Sequence, residues 1–239
     1  MTTTYGQFCP VAKAMEVLDE RWTMLLIREL ISGSRHFNDL RRGVPRMSPT
    51  LLSKRLRTLM RRGVIERHTD GNRVTYELTP AGRELAPIIE QLGTWGIRWA
   101  GDLGDEDLDP HLLMWDIHRN IDLDAVPSGR TVLHFVLHDV DRPADRWWMV
   151  VAGGTVDVCD FDPGHPVTVT IESGLRSLTQ LWRGDISWRG ALDTGAIRLH
   201  GPTHMRRAVP RWLKLSAFAG VPRPVPVPVG AGVAVADRR

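Results

Sequence analysis

Ser48-Pro49-Thr50-Leu51-Leu52-Ser53-Lys54-Arg55-Leu56-Arg57-Thr58-Leu59-Met60-Arg61-Arg62 is the stretch whose reading decides how the first part of this chain folds. The Ser48 side chain can cap an orphan helix N–H, and Pro49 already has the φ angle of a first helical turn. On a 3.6-residue period Leu52, Leu56, Leu59 and Met60 share one face, while Thr50, Lys54, Arg57 and Arg61 fall opposite. Such a helix packs along one side and presents cations along the other.

Upstream, Pro10 opens a helix to about Glu20, and Trp22, Leu25, Leu26, Ile27 and Leu30 continue a helical pattern that stops at Ser32-Gly33-Ser34. Phe37 and Leu40 anchor a short helix ended by Gly43-Val44-Pro45. Downstream, Ile65 to Thr69 and Arg73 to Leu78 flank Asp70-Gly71, a pair suited to a tight hairpin. Thr79-Pro80 then starts another helix, which Pro87 should kink. Short helix, turn, capped basic helix and Gly-tipped hairpin, in that order, spell a winged helix-turn-helix. In that fold the second helix enters the major groove, so Thr50, Ser53, Lys54 and Arg57 are expected at base edges. Arg46, Ser48 and Arg61 are expected nearer the phosphates, and Arg73 at the adjacent minor groove.

Charge agrees with a polyanionic partner, double-stranded DNA. Residues 1 to 100 carry 16 Lys/Arg against 10 Asp/Glu, whereas the remainder carries 15 against 18. Between residues 35 and 62, Arg35, Arg41, Arg42, Arg46, Lys54, Arg55, Arg57, Arg61 and Arg62 face only Asp39. At 42% hydrophobic and 25% charged residues, the composition is that of a globular protein. With no apolar run near the roughly 18 residues of a membrane span and no signal-like start, a cytoplasmic protein without a membrane partner is expected.

Several segments together resemble the HxlR-type family of bacterial winged-helix regulators. They are Cys9-Pro10-Val11-Ala12, Arg21-Trp22-Thr23, Phe37-Asn38-Asp39-Leu40-Arg41, Ser48 to Leu56, and Tyr76-Glu77-Leu78-Thr79-Pro80-Ala81-Gly82. The likeness covers about residues 6 to 100 and implies a homodimer on an inverted-repeat operator; the wing is shorter than the usual family loop. Leu85, Ile88, Leu92, Trp95 and Trp99, three and four residues apart, form the helix seam expected to hold that dimer. In some members of the family the cysteine at the place of Cys9 senses redox state or electrophiles. Cys9 suits that role because it precedes a helix N-terminus, where the dipole favours a thiolate.

The fold class expected is α+β, with a winged helix-turn-helix at 1–101, a linker at 102–110, a small α+β sheet domain at 111–218 and a Pro/Val/Gly-rich tail at 219–239. The acidic, Gly-containing linker has little to pack, so the two cores should fold separately. In the second domain β-rich runs at 132–137, 147–151, 155–158 and 167–171 imply an antiparallel sheet, with helices at 112–121, 175–182 and 205–215. Leu181-Trp182-Arg183-Gly184-Asp185, Gly190-Ala191-Leu192 and Ile197-Arg198-Leu199-His200-Gly201 resemble the sterol carrier protein type 2-like fold. That likeness implies an apolar tunnel for a hydrophobic small-molecule effector, with Trp115, Trp147, Trp148, Trp182, Trp188 and Trp212 as candidate lining.

His111 and His118 lie without a third ligand, and His134 and His138 are too distant along a strand to chelate easily, so no metal is expected. No nucleophile elbow, phosphate loop or paired acid-base set is present, so neither an enzyme nor a cofactor is expected. Two other readings remain open. One is a thiol-based sensor acting through Cys9; the other is a lipid or polyketide carrier or modifying enzyme with an accessory winged helix.

Overall fold

The computed structural model describes residues 4–223. Of the expected tail, only 219–223 fall within them.

The first core gathers α1 (Pro10–Leu18), α2 (Thr23–Ile31), α3 (Phe37–Gly43), α4 (Pro49–Arg61), the hairpin β1 (Ile65–Asp70) and β2 (Arg73–Leu78), α5 (Pro80–Arg83) and α6 (Ala86–Trp99). Leu26, Ile27 and Leu30 of α2 meet Leu40 of α3 and Leu52, Leu56 and Leu59 of α4, all buried. These are the positions that helical periodicity selects, because a 3.6-residue repeat turns every third or fourth side chain inward. Val44 and Met47 are buried in the turn between α3 and α4, and this fixes how α4 leaves α3. The helix after the wing is broken rather than kinked: it stops after α5 and restarts at Ala86, where Pro87 lies in the first turn and gives up no internal hydrogen bond.

The second core begins with a 3-10 turn at Asp105–Asp107 and α7 (Pro110–His118), followed by β3 (Thr131–Leu137), β4 (Arg146–Ala152), β5 (Thr155–Cys159) and β6 (Val169–Ser173). It closes with α8 (Leu175–Arg183), α9 (Trp188–Asp193), β7 (Ile197–His200) and α10 (Thr203–Trp212). The sheet runs β5-β4-β3-β6-β7. It is mixed rather than purely antiparallel, because β6 pairs with β3 in parallel, Leu133 facing Val169 and Leu137 facing Ser173. The β4–β5 hairpin occupies one side of β3, so the chain returns to the other side already running in the direction of β3. Alternate residues Leu133, Phe135 and Leu137, with Trp147, Met149 and Val151, meet Met114 and Ile117 of α7, Leu178 and Leu181 of α8, and Val209 and Trp212 of α10. α9, which apolar periodicity did not reveal, is capped by Ser187, whose side chain accepts from Gly190 N at 3.0 Å. No helix among the described residues is long and apolar enough to cross a membrane.

The segment joining the two cores is not the loosely packed tether expected from its composition. Its backbone carbonyls serve as acceptors for arginines on both sides: Arg176 donates to Leu103 O at 2.8 Å, Arg183 to Gly101 O, and Arg46 to Glu106 O. Phe218 lies against α6 at Gly93, where an added Cβ would come within 2.2 Å of its ring.

A buried carboxylate completes this docking. Glu29 of α2 is fully buried. It accepts from Arg28 at 2.8 Å, from Ser34 Oγ at 3.2 Å, and from Arg119, just past α7, at 2.7 and 3.2 Å. Burial pushes the Glu29 carboxyl up, and the two guanidiniums more than offset that, leaving it below the usual carboxylate range. Arg119 also pairs with Asp116, whose carboxyl is raised chiefly by its own burial.

Candidate nucleic-acid interface

α4 has the two-sided character its sequence predicts. Ser48 Oγ accepts from Leu51 N at 3.3 Å and so caps the helix, while its exposed O–H stays free to donate. Leu52, Leu56 and Leu59 are buried against α2 and α3, while Thr50, Lys54, Arg57 and Arg61 are exposed and Ser53 is half-buried at the edge. Lys54 and Arg57 form no ion pair among the described residues.

Other cations of the basic stretch are engaged within the protein. Arg35 holds Leu30 O at 2.7 Å; Arg55 holds Arg21 O at 3.1 Å and pairs with Glu20. Arg46, expected at the phosphates, reaches the connecting segment instead, and Arg61 leans on Thr58 Oγ1 at 3.1 Å. Of these only Arg55 is paired with an acid among the described residues; the bonds to carbonyl and hydroxyl oxygens fix the other guanidiniums in place and leave their charge intact.

The wing is a regular two-stranded hairpin in which Asp70 faces Arg73 and Gly71 takes φ +54 at the tip, a value that favours glycine. It is tied to the helices by Tyr76 N–H donating to Arg35 O at 2.8 Å and by a contact of His36 Nδ1 with Val74 O at 3.0 Å. Arg73 is exposed at the tip. Glu66, His68 and Glu77 share one exposed face of the hairpin, with ligand atoms within 4.8 Å of one another. Cross-strand pairing of Glu66 with Glu77 creates this cluster, so no spacing in the sequence announced it. Two carboxylates make that face a poor neighbour for phosphate.

On α6, Ile88 is 49% exposed, Leu92 51%, Trp95 59% and Trp99 64%, an apolar stripe that no other part of the described residues covers. Leu85 departs from the expected seam: it caps α6 and packs against the first core. Val11 and Met15 on α1 and Phe8 just before it are exposed too.

Cys9 is the N-cap residue of α1, and the backbone N–H groups of Ala12 and then Val11 at the start of the helix hold its thiol below the ordinary value. Cys159, on edge strand β5, is shifted upward by burial and by Asp157 and Asp160.

The six tryptophans expected around one tunnel are dispersed. Trp212 is core, and Trp148 stacks on His134 at 4.6 Å on the other face of the sheet. Trp182 and Trp188 line an apolar cavity of about 10 Å³, room for at most one water, because Leu178, Leu181, Leu213 and Leu215 fill the space. Little space is open beside these two rings. Trp115 and Trp147 instead border an open cleft between the two cores.

Comparison with known proteins locates the likeness in the first core. The profile of the HxlR-like helix-turn-helix family matches residues 17–103. The HTH-type transcriptional regulator YvaP of Bacillus subtilis is 34% identical over 98 residues, 39% of this chain and 91% of that protein. The HTH-type transcriptional regulator MT3179 of Mycobacterium tuberculosis is 45% identical over 91 residues, 36% of this chain and 56% of that protein. Among solved structures, the reduced form of the transcriptional regulator YodB from B. subtilis superposes with a TM-score of 0.36 at 27% identity, covering 40% of this chain and 100% of that one.

Proposed function

This chain belongs to the HxlR-like helix-turn-helix family of transcriptional regulators, and on that premise we propose that it acts as a homodimer on an inverted-repeat operator, under the control of a small molecule sensed through its second domain. The observation that carries this reading is α4, a capped helix with leucines buried on one side and Lys54 and Arg57 exposed on the other. Insertion of its N-terminal half into a major groove brings Thr50, Ser53, Lys54 and Arg57 to base edges, with Arg73 of the wing alongside. The stripe Ile88, Leu92, Trp95 and Trp99 supplies the dimer contact, because burying it against a second copy removes large apolar side chains from water.

The second domain acts by holding the first. α7 packs against α3, and Arg119 reaches Glu29, so a change in this docking alters how α4 is presented. A ligand shifts that equilibrium only by as much as its affinity differs between the two states. The mixed sheet with helices on one face is compatible with a sterol carrier-like origin, and we assign it no catalytic role.

Selection of binding sites from random duplexes tests the reading. The expected product is a two-fold symmetric sequence bound by a dimer in a salt-dependent way. Recovery of no preferred sequence would refute it.

A second reading has its own observation. The thiol of Cys9, lowered by the N–H groups at the start of α1, is suited to react with oxidants or electrophiles. Loss of operator binding on mild oxidation, abolished in Cys9→Ser, is the result this reading requires.

A further inference from the structure

The wing has little packing to hold its tip. Ile65 and Leu78, at the base of the hairpin, are buried, but every residue from Glu66 to Glu77 is exposed or half-buried. A two-stranded hairpin by itself is marginally stable in water. What aims the tip relative to α4 is therefore the pairing of β2 with the chain just before α3. Antiparallel pairing with β1 uses alternate residues of β2, so Tyr76 and Val74, two apart, turn their backbone groups to the open edge. There Tyr76 N–H donates to Arg35 O at 2.8 Å.

His36 decides what meets Val74 O. Its backbone N–H donates to Asp39 Oδ2 at 3.3 Å and its carbonyl accepts from Leu40 N–H at 3.0 Å, so both backbone groups belong to α3. The rung that a neighbouring strand would supply with a backbone N–H comes from the ring instead: His36 Nδ1 lies 3.0 Å from Val74 O. A carbonyl oxygen only accepts, so the proton of this bond sits on Nδ1. Val74 adjoins Arg73. Among the hydrogen bonds of the described residues, this is the one that ties the helices to the hairpin nearest its tip.

We propose that His36 is the positioning residue of the wing, its Nδ1–H fixing the hairpin, and through it Arg73, relative to the exposed basic side of α4. The tether stands on this geometry alone, and its consequence for DNA rests on the regulator reading. Losing one exposed N–H···O bond leaves α3 and the core as they are. It frees the hairpin tip, which DNA then has to order on binding.

Two variants at this exposed position test the tether. His36→Asn places an amide N–H close to where Nδ1 lies and suits a helix N-cap, whereas His36→Leu has no donor. In the full-length protein without DNA, the imidazole ¹⁵N resonances of His36, assigned by their loss in His36→Leu, are expected to report the Nδ1–H tautomer. The Tyr76 amide is expected to exchange about three- to tenfold faster in His36→Leu and near the wild-type rate in His36→Asn. On the duplex recovered by site selection, His36→Leu is expected to weaken binding about fivefold and His36→Asn less than about twofold. In an Arg73→Ala background His36→Leu is expected to weaken binding no further, because the tether acts through Arg73; a merely structural loss would weaken both backgrounds alike. An Nε2–H tautomer, unchanged amide exchange or unchanged operator binding in His36→Leu, equal losses in the Asn and Leu variants, or a loss that persists without Arg73 overturns the proposal. If selection yields no preferred duplex, the regulator reading fails, and the tautomer and the exchange rates still decide the tether.

Discussion

Removing the Arg119 guanidinium should destabilise the protein through a residue ninety positions away. In Arg119→Met the buried Glu29 carboxylate loses its two hydrogen bonds at 2.7 and 3.2 Å, and keeps Arg28 at 2.8 Å and Ser34 at 3.2 Å. Stranding one partner of a buried pair costs about 3–5 kcal/mol when nothing replaces it. Because Arg28 and Ser34 stay in place, the expected loss lies at the low end of that range, about 3 kcal/mol. Urea unfolding, followed by circular dichroism and by fluorescence, measures this loss and shows whether the two cores still unfold together. Glu29→Gln in the Arg119→Met background removes the stranded charge and should recover part of the loss, giving a favourable coupling energy for the pair. The pH dependence has a defined sign. Glu29 titrates lower in the folded state than in the unfolded one, so its stabilisation is present above the unfolded value and is lost as pH falls through the folded value. Asp116, raised by burial, moves the other way, since protonation relieves its desolvation. The difference between wild type and Arg119→Met should therefore narrow on acidification. A variant within about 0.5 kcal/mol of wild type at neutral pH would show that Arg119 does not hold the two domains together.

Three further expectations follow from the exposed surfaces. Arg57→Ala and Lys54→Ala should each weaken operator binding by about 1–3 kcal/mol and blunt discrimination between operator and random DNA, measured by titration at fixed salt; equal losses on both DNAs would move these residues to the phosphates. Leu92→Glu places a charge in the middle of the α6 stripe and should dissociate the proposed dimer, so a light-scattering mass that stays dimeric would place the interface elsewhere. Cys9 should be alkylated faster than Cys159 at neutral pH and keep reacting at lower pH, because its thiol is lowered and that of Cys159 raised; mass spectrometry of iodoacetamide-treated protein that finds Cys159 modified first would contradict this.

What could be read from the sequence is what local physics dictates. The Ser48-Pro49 cap, the leucines of α4 and the Asp70-Gly71 tip act within a few residues of themselves, so their consequences survived into the fold nearly unchanged. The exposed, basic side of α4 follows from helical periodicity alone. Residues whose partners lie far along the chain were less legible. Arg46 and Arg55 looked like part of a DNA-facing charge run, but their partners are Glu106 and Arg21. Leu85 fitted the seam by spacing, yet the break before Ala86 turns it to the core.

By itself, then, the sequence determined the winged helix-turn-helix and its family, because capping, period and turn chemistry are encoded within each element. Tertiary structure alone decided the parallel β3–β6 pairing, the close packing beside Trp182 and Trp188, the Arg119–Glu29 link and the cleft around Trp115. Each of these depends on which distant surfaces meet. A buried charge such as Glu29 looks like any other helix residue until the partner that lets it remain buried is brought to it by the fold.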